Sequence, residues 1–258
     1  MVLTISDLSF NYPGVRTRPQ LLDGFNLVLE KGSVTALLGQ NGSGKTTLLN
    51  ILSGFETAYE GTVLINGNEL RGAPYERARL KIGRLFQGAR LSEDLTLFEN
   101  LMLAFPNQAG DRLSEALFRR RRLSRREKEG REIAVSVLDS FFGAGNAYVE
   151  KLDQKASAFS YGEQRILAFV RLMMGDYELL LLDEPTSGVN PMYVDRIGQS
   201  LRQWKNRGVS ILMVEHNIGF VRQTADCCAY LEGGKILASG KVESVLLDGR
   251  IRSKYLGI

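Results

Sequence analysis

Short apolar runs and amphipathic segments alternate along much of this chain. Strands are predicted where polar and apolar residues alternate or where a short run is wholly apolar: at residues 4–10, 27–29, 34–38, 62–65, 179–182 and 210–214, and as a pair around residues 230–238. Helices are predicted where apolar residues recur at helical spacing, at residues 46–53, 162–174 and 192–205, and after residue 216. Strands that alternate with helices indicate an α/β fold with a mainly parallel sheet and crossover helices.

The middle of the chain has a different pattern. Residues 91–158 show helical periodicity, few β-branched runs and a cluster of arginines, and residues 141–149 are predicted to form a connector. We therefore expect one domain over residues 1–258, in which a helical lobe of residues 91–158 is inserted into an α/β core of residues 1–90 and 159–258. A chain of 258 residues is long enough to bury such a core without disulfides or a structural metal.

Composition excludes several classes of protein. Hydrophobic residues make up 44% and charged residues 24%, which excludes wholesale disorder. The longest unbroken apolar runs have five residues, so no segment is expected to span a bilayer, and the first residues lack the pattern of a secretory signal. Cys227 and Cys228 are the two cysteines, and their adjacency favours small buried side chains in a reducing compartment over a disulfide framework.

The net charge of +4, from 33 basic and 29 acidic residues, originates in one segment. Residues 111–132 contain nine Lys/Arg and five Asp/Glu, and the remaining 24 of each sign cancel. This distribution argues against a nucleic-acid-binding face spread over the fold. The arginines at residues 119–122 and 125–126 have two open interpretations. They form a solvated helix face, which the interleaved Glu127, Glu129 and Glu132 favour, or they contact an acidic lipid surface.

One motif carries a specific chemistry. Residues 39–46, Gly-Gln-Asn-Gly-Ser-Gly-Lys-Thr, match G-x-x-x-x-G-K-[ST] in full, after an apolar strand and before a helix. The glycines let backbone N–H groups curl around phosphate oxygens, and the positive end of the following helix points at the same place. Lys45 can reach the β- and γ-phosphates, and the Thr46 hydroxyl can bind Mg²⁺. The motif therefore predicts a site for a nucleoside triphosphate.

Acidic residues and the single histidine follow two other predicted strands. Asp183 and Glu184 come directly after four leucines, so the strand presents both carboxylates at its carboxyl end. Asp183 is suited to the Mg²⁺ shell, and Glu184 is suited to polarise an attacking water molecule. His216 follows the strand at residues 210–214 and lies at the same edge, where ligands bind in open α/β sheets.

The segment Phe159-Ser160-Tyr161-Gly162-Glu163-Gln164 lies about twenty residues before Asp183. It resembles the signature motif of ATP-binding-cassette (ABC) ATPases, usually written LSGGQ. Other motifs follow in the order of that family: Tyr12 resembles the aromatic residue that stacks on adenine, Gln87 the Q-loop glutamine, residues 187–190 the D-loop and His216 the switch histidine.

The resemblance covers essentially the whole chain. It implies a P-loop NTPase (RecA-like) core with an N-terminal antiparallel β subdomain and an inserted helical subdomain, and an activity that hydrolyses ATP. It implies ATP binding by Tyr12, Gly39, Gln40, Asn41, Gly42, Ser43, Gly44, Lys45, Thr46, Thr47 and Gln87; Mg²⁺ binding by Thr46, Gln87 and Asp183; and catalysis by Glu184 and His216. It further implies that Ser160, Tyr161, Gly162, Glu163 and Gln164 contact the ATP of a partner cassette.

Departures from the family pattern indicate a subfamily. Tyr161 replaces the first signature glycine, Glu163 replaces the residue before the glutamine, and Asn190 stands where many cassettes have Asp. With Phe-Glu-Asn at residues 98–100 and Lys-Tyr-Leu-Gly at residues 254–257, these resemble the ATPases of branched-chain amino acid importers, whose near relatives import urea or short amides.

That resemblance implies a set of partners. They are separate integral-membrane permease subunits, a second ABC ATPase that is identical or different, and indirectly an extracytoplasmic solute-binding protein. The implied location is peripheral, on the cytoplasmic side of the cell membrane.

Three other kinds of cassette fit less well. ABC ATPases that act on ribosomes resemble two cassettes in one chain, and this chain has one. Those that act on DNA carry long heptad arrays, and none is present. A non-hydrolysing structural cassette would not need Lys45, Asp183, Glu184 and His216 together. We therefore expect no nucleic-acid partner.

Overall fold

The computed structural model describes residues 2–14, 20–106 and 120–251, with the backbone alone for residues 120–126. The side chains of the arginine cluster and the motif at residues 254–257 lie outside the described residues, so both interpretations of the cluster remain predictions.

Within the described residues, two sheets are built from ten strands. The strands are β1 (Leu3–Phe10), β2 (Leu22–Leu29), β3 (Val34–Gly39), β4 (Glu60–Ile65), β5 (Asn68–Glu69), β6 (Ile82–Leu85), β7 (Leu179–Asp183), β8 (Ser210–Val214), β9 (Cys227–Glu232) and β10 (Lys235–Lys241). One sheet has the order β2-β1-β4-β5 and is antiparallel. The other has the order β10-β9-β3-β8-β7-β6 and is parallel except between β9 and β10.

The described helices are α1 (Lys45–Ser53), α2 (Pro74–Arg79), α3 (Leu97–Met102), α4 (Arg120–Phe142), α5 (Ala147–Glu150), α6 (Tyr161–Leu172), α7 (Val194–Asn206), α8 (Ile218–Thr224), α9 (Val242–Leu246) and α10 (Gly249–Ile251). Short 3₁₀ turns precede α6 at Ala156–Ala158 and α7 at Pro191–Tyr193. None of the helices in the described ranges is long and apolar enough to cross a bilayer.

Three buried strands position the site. Every residue of β3, β7 and β8 is buried, which explains why these strands are short apolar runs instead of alternating patterns. Pairing of β7 with β8 sets Asp183 beside Val214, and pairing of β3 with β8 sets Leu37 beside Val214. The carboxyl ends of these strands therefore meet at one edge of the sheet.

The antiparallel sheet and α1 share a core with the parallel sheet. Buried residues of β1, β2 and β4 pack in one cluster with the apolar face of α1, including Leu48 and Leu52, and with Leu181 and Leu212 of the parallel sheet. The predicted fold class, a P-loop α/β core with an N-terminal antiparallel β subdomain and a helical subdomain, is confirmed.

The chain folds into two compact units. The first contains Met1–Gln87, Tyr177–Ser187 and Ile197–Ile258, and the second contains Gly88–Asp176 and Gly188–Arg196. The prediction that residues 159 onwards belong to the α/β core is therefore wrong for α6. Contacts of α6 with α3 and α4 explain this, since its buried face packs inside the helical unit.

Other differences are local. The predicted connector at residues 141–149 is wrong at both ends, because α4 continues to Phe142 and the Asn146 side chain accepts from the Tyr148 N–H to begin α5. The helix predicted from residue 192 begins at Val194. The strand β6 has no counterpart in the predictions. Cys227 and Cys228 are free thiols on β9, and only Cys228 is fully buried.

Candidate functional site

The loop between β3 and α1 requires glycine at two positions. Gly39 has φ +152°, and a Cβ there would lie 2.4 Å from the Leu231 carbonyl oxygen. Gly44 is the N-cap of α1 at φ +100°, and its Cβ would lie 3.1 Å from the Leu21 carbonyl oxygen. A side chain at either position would strain the backbone and clash, so these glycines permit the tight turn that the motif predicts.

Two buried donors make this loop suited to an anion. Lys45 Nζ donates to the carbonyls of Gly39 and Gln40, both at 2.8 Å, and is buried. Burial lowers the pKa of Lys45, and the nearby carboxylates of Glu184 and Asp183 partly oppose this. The Ser43 hydroxyl is also buried, and it has no hydrogen-bond partner among the described residues. Phosphate oxygens would satisfy these groups.

Asp183 is a buried carboxylate held from two sides. Its Oδ1 lies 3.4 Å from Thr46 Oγ1, which donates to it, and its Oδ2 accepts from Arg84 Nη2 at 3.1 Å. Burial raises the pKa of Asp183, whereas Arg84, Thr46 and Lys45 act in the opposite direction. No group of three or more His, Cys, Asp or Glu side chains in the described ranges could hold a metal by itself. Thr46 and Asp183 could bind Mg²⁺ only if phosphate and water oxygens completed its shell.

Glu184 and His216 lie side by side. His216 Nε2 is 3.3 Å from Glu184 Oε1, and both side chains are partly exposed. Glu184 adopts φ +51°, a left-handed conformation that costs a non-glycine residue free energy, while its N–H donates to the Val214 carbonyl at 2.9 Å. Strand β7 ends at Asp183, directly before this left-handed residue.

A cavity of about 690 Å³ brings most of the predicted residues together. Its lining includes Tyr12, Asn41, Gly42, Gly44, Lys45, Thr46, Thr47, Gln87, Glu184 and His216, together with Leu21 and Val214. Four predicted residues do not line the cavity but lie within two positions in sequence of one that does: Gly39, Gln40, Ser43 and Asp183. The Tyr12 and Thr47 hydroxyls share a hydrogen bond at 3.2 Å. The volume suits a ligand of nucleotide size.

Two charged residues close to the site, whose side chains are buried, were missed by the sequence predictions. The Arg84 side chain is 6% exposed, and burial lowers its pKa to about 10 although Asp183 acts to raise it. The Glu215 carboxylate accepts from Thr186 Oγ1 at 2.6 Å, from the Thr186 N–H at 3.0 Å and from the His216 N–H at 2.9 Å. The only signal in the sequence was a charge within a short apolar segment for Arg84 and directly after one for Glu215, and such a signal does not identify the group that the charge contacts.

The signature segment lies in the second unit, at the N-terminus of α6. Ser160 caps this helix: its Oγ accepts from the Glu163 N–H at 3.3 Å, and Glu163 Oε2 accepts from the Ser160 N–H at 2.8 Å. A Cβ at Gly162 would meet no atom of the described residues within 4 Å, so their packing does not require glycine there. The exposed Tyr161 ring has the guanidinium groups of Arg90 and Arg165 at 5.4 and 5.9 Å from its centroid.

Gln164 differs from its prediction as a contact for a partner's nucleotide. It is 5% exposed, and its Nε2 donates to the Ala156 and Phe159 carbonyls, both at 3.1 Å. The side chain therefore fixes the approach to the signature and is not available at the surface.

Comparisons with known proteins identify the family of the chain. The family model described as ABC transporter matches residues 22–187. The chain is 34% identical to a probable branched-chain amino acid transport ATP-binding protein LivG of Archaeoglobus fulgidus, over 99% of this chain and 95% of that protein. It is 30% identical to the high-affinity branched-chain amino acid transport ATP-binding protein BraF of Pseudomonas aeruginosa, over 99% and 98%.

Solved structures are similar over the same length. The ADP conformation of an ATP-binding cassette of an ABC transporter has a TM-score of 0.78 and 27% identity, covering 100% of this chain and 99% of that one. A nucleotide-free cassette has a TM-score of 0.77 and 26% identity, covering 97% and 96%. The chain therefore belongs to the ABC transporter family, as an ATP-binding cassette whose ATPase activity is coupled to transport.

Proposed function

We propose that this ATPase powers an importer of branched-chain amino acids, with Glu184 as its catalytic base. The observation that carries the proposal is the Glu184 carboxylate, which lies 3.3 Å from His216 Nε2 in a cavity lined by P-loop residues. The substrate class is supported by relatives that are named as branched-chain amino acid transport ATP-binding proteins and align along nearly the whole chain.

ATP binding follows from the groups that line this cavity. Adenine stacks on the Tyr12 ring, and the phosphates lie in the loop of residues 39–46. Lys45, the loop N–H groups and the N-terminus of α1 bind the phosphates, because all three present positive charge or donors to anionic oxygens. No acidic residue lies in the first turn of α1 to oppose this.

Hydrolysis requires a base near the terminal phosphate. The Thr46 hydroxyl, the Gln87 amide and the Asp183 carboxylate would hold Mg²⁺ through oxygen ligands, the type that this ion prefers. The ion would neutralise negative charge on the phosphates. Glu184 accepts a proton from the attacking water, which makes that water a stronger nucleophile. His216 holds the Glu184 carboxylate through Nε2.

A second cassette completes the site in this proposal. All residues that line the cavity belong to the first unit, whereas the signature segment belongs to the second. Ser160 and Gly162 lie at the N-terminus of α6, whose N–H groups are suited to the γ-phosphate of another chain's ATP. Binding of ATP closes the pair of cassettes, and hydrolysis reopens it.

An aromatic pair beside Gln87 supports docking of a membrane permease. The Phe55 and Phe86 rings meet edge to face at 5.2 Å between centroids, and the two residues are 55% and 42% exposed. Exposed adjacent aromatic rings are typical of protein interfaces. We place the chain on the cytoplasmic side of the membrane, peripheral to permease subunits that receive solute from an extracytoplasmic binding protein.

Replacing the base tests the hydrolysis mechanism. Glu184→Gln keeps the shape and removes the charge, so hydrolysis by the purified complex should fall by roughly 10²–10⁴-fold, the usual worth of a general base. ATP affinity should persist, because Lys45 and the loop N–H groups are unchanged. Glu178→Gln is the matched control, since Glu178 directly precedes the opposite end of β7 and its carboxylate accepts from Asn66 Nδ2. Normal hydrolysis by Glu184→Gln would place the base elsewhere.

Uptake tests the substrate class. The complex with its permeases, reconstituted in vesicles, should take up radiolabelled leucine, isoleucine or valine when ATP is present. Uptake of urea or short amides instead would reassign the substrate and leave the ATPase mechanism intact.

A further inference from the structure

We propose that Arg84 is a positioning residue that holds one oxygen of Asp183 so that the other faces the metal position beside Thr46. The inference rests on the proposed function, in which this cavity binds ATP with Mg²⁺. It concerns a residue that none of the motifs contains.

The contacts divide the two oxygens of Asp183 between different groups. Arg84 Nη2 donates to Oδ2 at 3.1 Å, and Thr46 Oγ1 donates to Oδ1 at 3.4 Å. The Arg84 and Asp183 side chains are 6% and 0% exposed, so water does not compete for this pair. Arg84 therefore fixes which oxygen of Asp183 remains directed towards Thr46.

Arg84 is itself held from several directions. It lies on β6, whose pairing with β7 sets it opposite Leu181, two residues before Asp183. Nη2 also donates to Asn50 Oδ1 at 3.4 Å, and the guanidinium lies 5.1 Å from the centroid of the Phe86 ring. Asn50 is on α1, the helix whose first turn carries Thr46. Arg84 thus ties Asp183 to the helix that presents the Thr46 hydroxyl.

The unpaired donors of Arg84 argue against a role in packing alone. Its Nε and Nη1 are buried and have no hydrogen-bond partner among the described residues. A buried charge with unsatisfied donors costs free energy, and an apolar side chain of similar volume would fill the same space at a lower cost. The planar guanidinium, unlike a lysine ammonium, presents donors in fixed directions, which suits orientation of a carboxylate.

The test measures how ATP binding depends on Mg²⁺. Equilibrium binding of a fluorescent ATP analogue to the purified full chain is titrated with Mg²⁺, and the Mg²⁺ midpoint is compared between variants. Arg84→Met should raise the midpoint about 10-fold or more, the usual effect of losing a group that orients a metal ligand. Arg84→Lys keeps the positive charge but loses the planar set of N–H donors, and it should also raise the Mg²⁺ midpoint. Binding in EDTA should be unchanged for both variants.

Arg79 supplies matched controls. Its guanidinium also stacks on an aromatic ring, that of Tyr75 at 5.8 Å, but it is exposed and lies outside the cavity. Arg79→Met and Arg79→Lys should leave the Mg²⁺ midpoint unchanged. If Arg84→Met does not fold, as judged by circular dichroism, Arg84→Lys decides the question.

The outcomes separate three roles. A higher midpoint in the Arg84 variants supports positioning. An unchanged midpoint would show that Arg84 only stabilises the fold, and a lower one would show that its charge merely repels the cation; both overturn the inference while the wild-type chain still needs Mg²⁺. A wild-type chain that binds ATP equally well without Mg²⁺ would overturn the proposed metal site and this inference with it.

Discussion

At the scale of single residues, Tyr12 offers an aromatic surface to the cavity. The residue is 39% exposed, and its hydroxyl is bound to Thr47, which fixes the ring beside the phosphate loop. Tyr12→Ala should weaken ATP and GTP binding alike by about 1–3 kcal/mol, because stacking tolerates any base. Tyr12→Phe keeps the ring and should retain most of the affinity. Calorimetric titration of the wild type and both variants, each with ATP and with GTP, measures both effects. A large loss in Tyr12→Phe would instead assign the effect to the hydroxyl.

The predicted site residues that the fold holds close together belong mainly to local patterns. Gly39, Lys45 and Thr46 are set by one loop of eight residues, so their arrangement follows from spacing alone. Glu215 and Arg84 act through partners far along the chain: Thr186 is 29 residues from Glu215, and Asp183 is 99 residues from Arg84. Only the sheet register brings these residues together, and a single sequence does not reveal that register.

At the scale of elements, a buried arginine caps the C-terminus of α1, the helix that follows the phosphate-binding loop. Arg77 of α2 donates through Nη1 to the carbonyls of Ile51 and Leu52, at 3.2 and 3.3 Å, and through Nε to the Gly72 carbonyl. Both are among the last carbonyls of α1, which have no i+4 N–H partner within the helix; the Ile51 carbonyl also accepts from the Gly54 N–H at 3.1 Å. Arg77 thus supplies a positive charge where the helix dipole is negative.

Loss of this cap should destabilise the fold. Arg77→Met should lower the free energy of unfolding by about 1.5–3 kcal/mol, the usual contribution of a hydrogen bond to a charged group, as measured by urea denaturation. Arg79→Met, an exposed change in the same helix, should have an effect within about 0.5 kcal/mol. Equal stability of the two variants would show that water replaces Arg77 at the end of α1.

Element boundaries were predictable where a single strong pattern set them. Strand β8 matches its prediction at both ends, because a wholly apolar run ends at charged Glu215. The four-residue β6 was missed because Gly83 and Arg84 interrupt its apolar pattern; Gly83 is required there because a Cβ would lie 2.7 Å from the Tyr177 ring. The end of α4 was missed because Phe142 packs on Tyr148 at 4.4 Å between ring centroids, a contact that no periodicity encodes.

At the scale of the whole molecule, the signature helix belongs with the helical unit and not with the core. Sequence order placed α6 beside the core strands, since it directly precedes β7. In the structure α6 packs against α3 and α4 and therefore belongs to the helical unit. Assignment of a helix to a unit depends on which neighbour covers its apolar face, and periodicity shows only that such a face exists.

The two-cassette arrangement predicts an assembly effect. Glu184→Gln should accumulate as an ATP-dependent dimer, with itself or with a second cassette, because ATP bridges the chains and is not consumed. Adding Ser160→Arg should abolish this dimer by placing bulk and a cation where the other chain's γ-phosphate binds. Adding Ser157→Arg, an equal change at another exposed serine of the same unit, should not. Sedimentation with and without ATP measures each case, and a dimer that persists with Ser160→Arg would contradict the arrangement.

The left-handed backbone at Glu184 sets this position apart from the buried residues around it. Glycine adopts φ +51° freely and asparagine does so more readily than glutamate, so either would relieve the local cost. Selection of variants for thermal stability alone would therefore tend to replace the proposed base and enrich folded chains without activity. Directed evolution of this cassette for robustness needs position 184 held constant, or a screen that counts phosphate released as well as protein that survives heating.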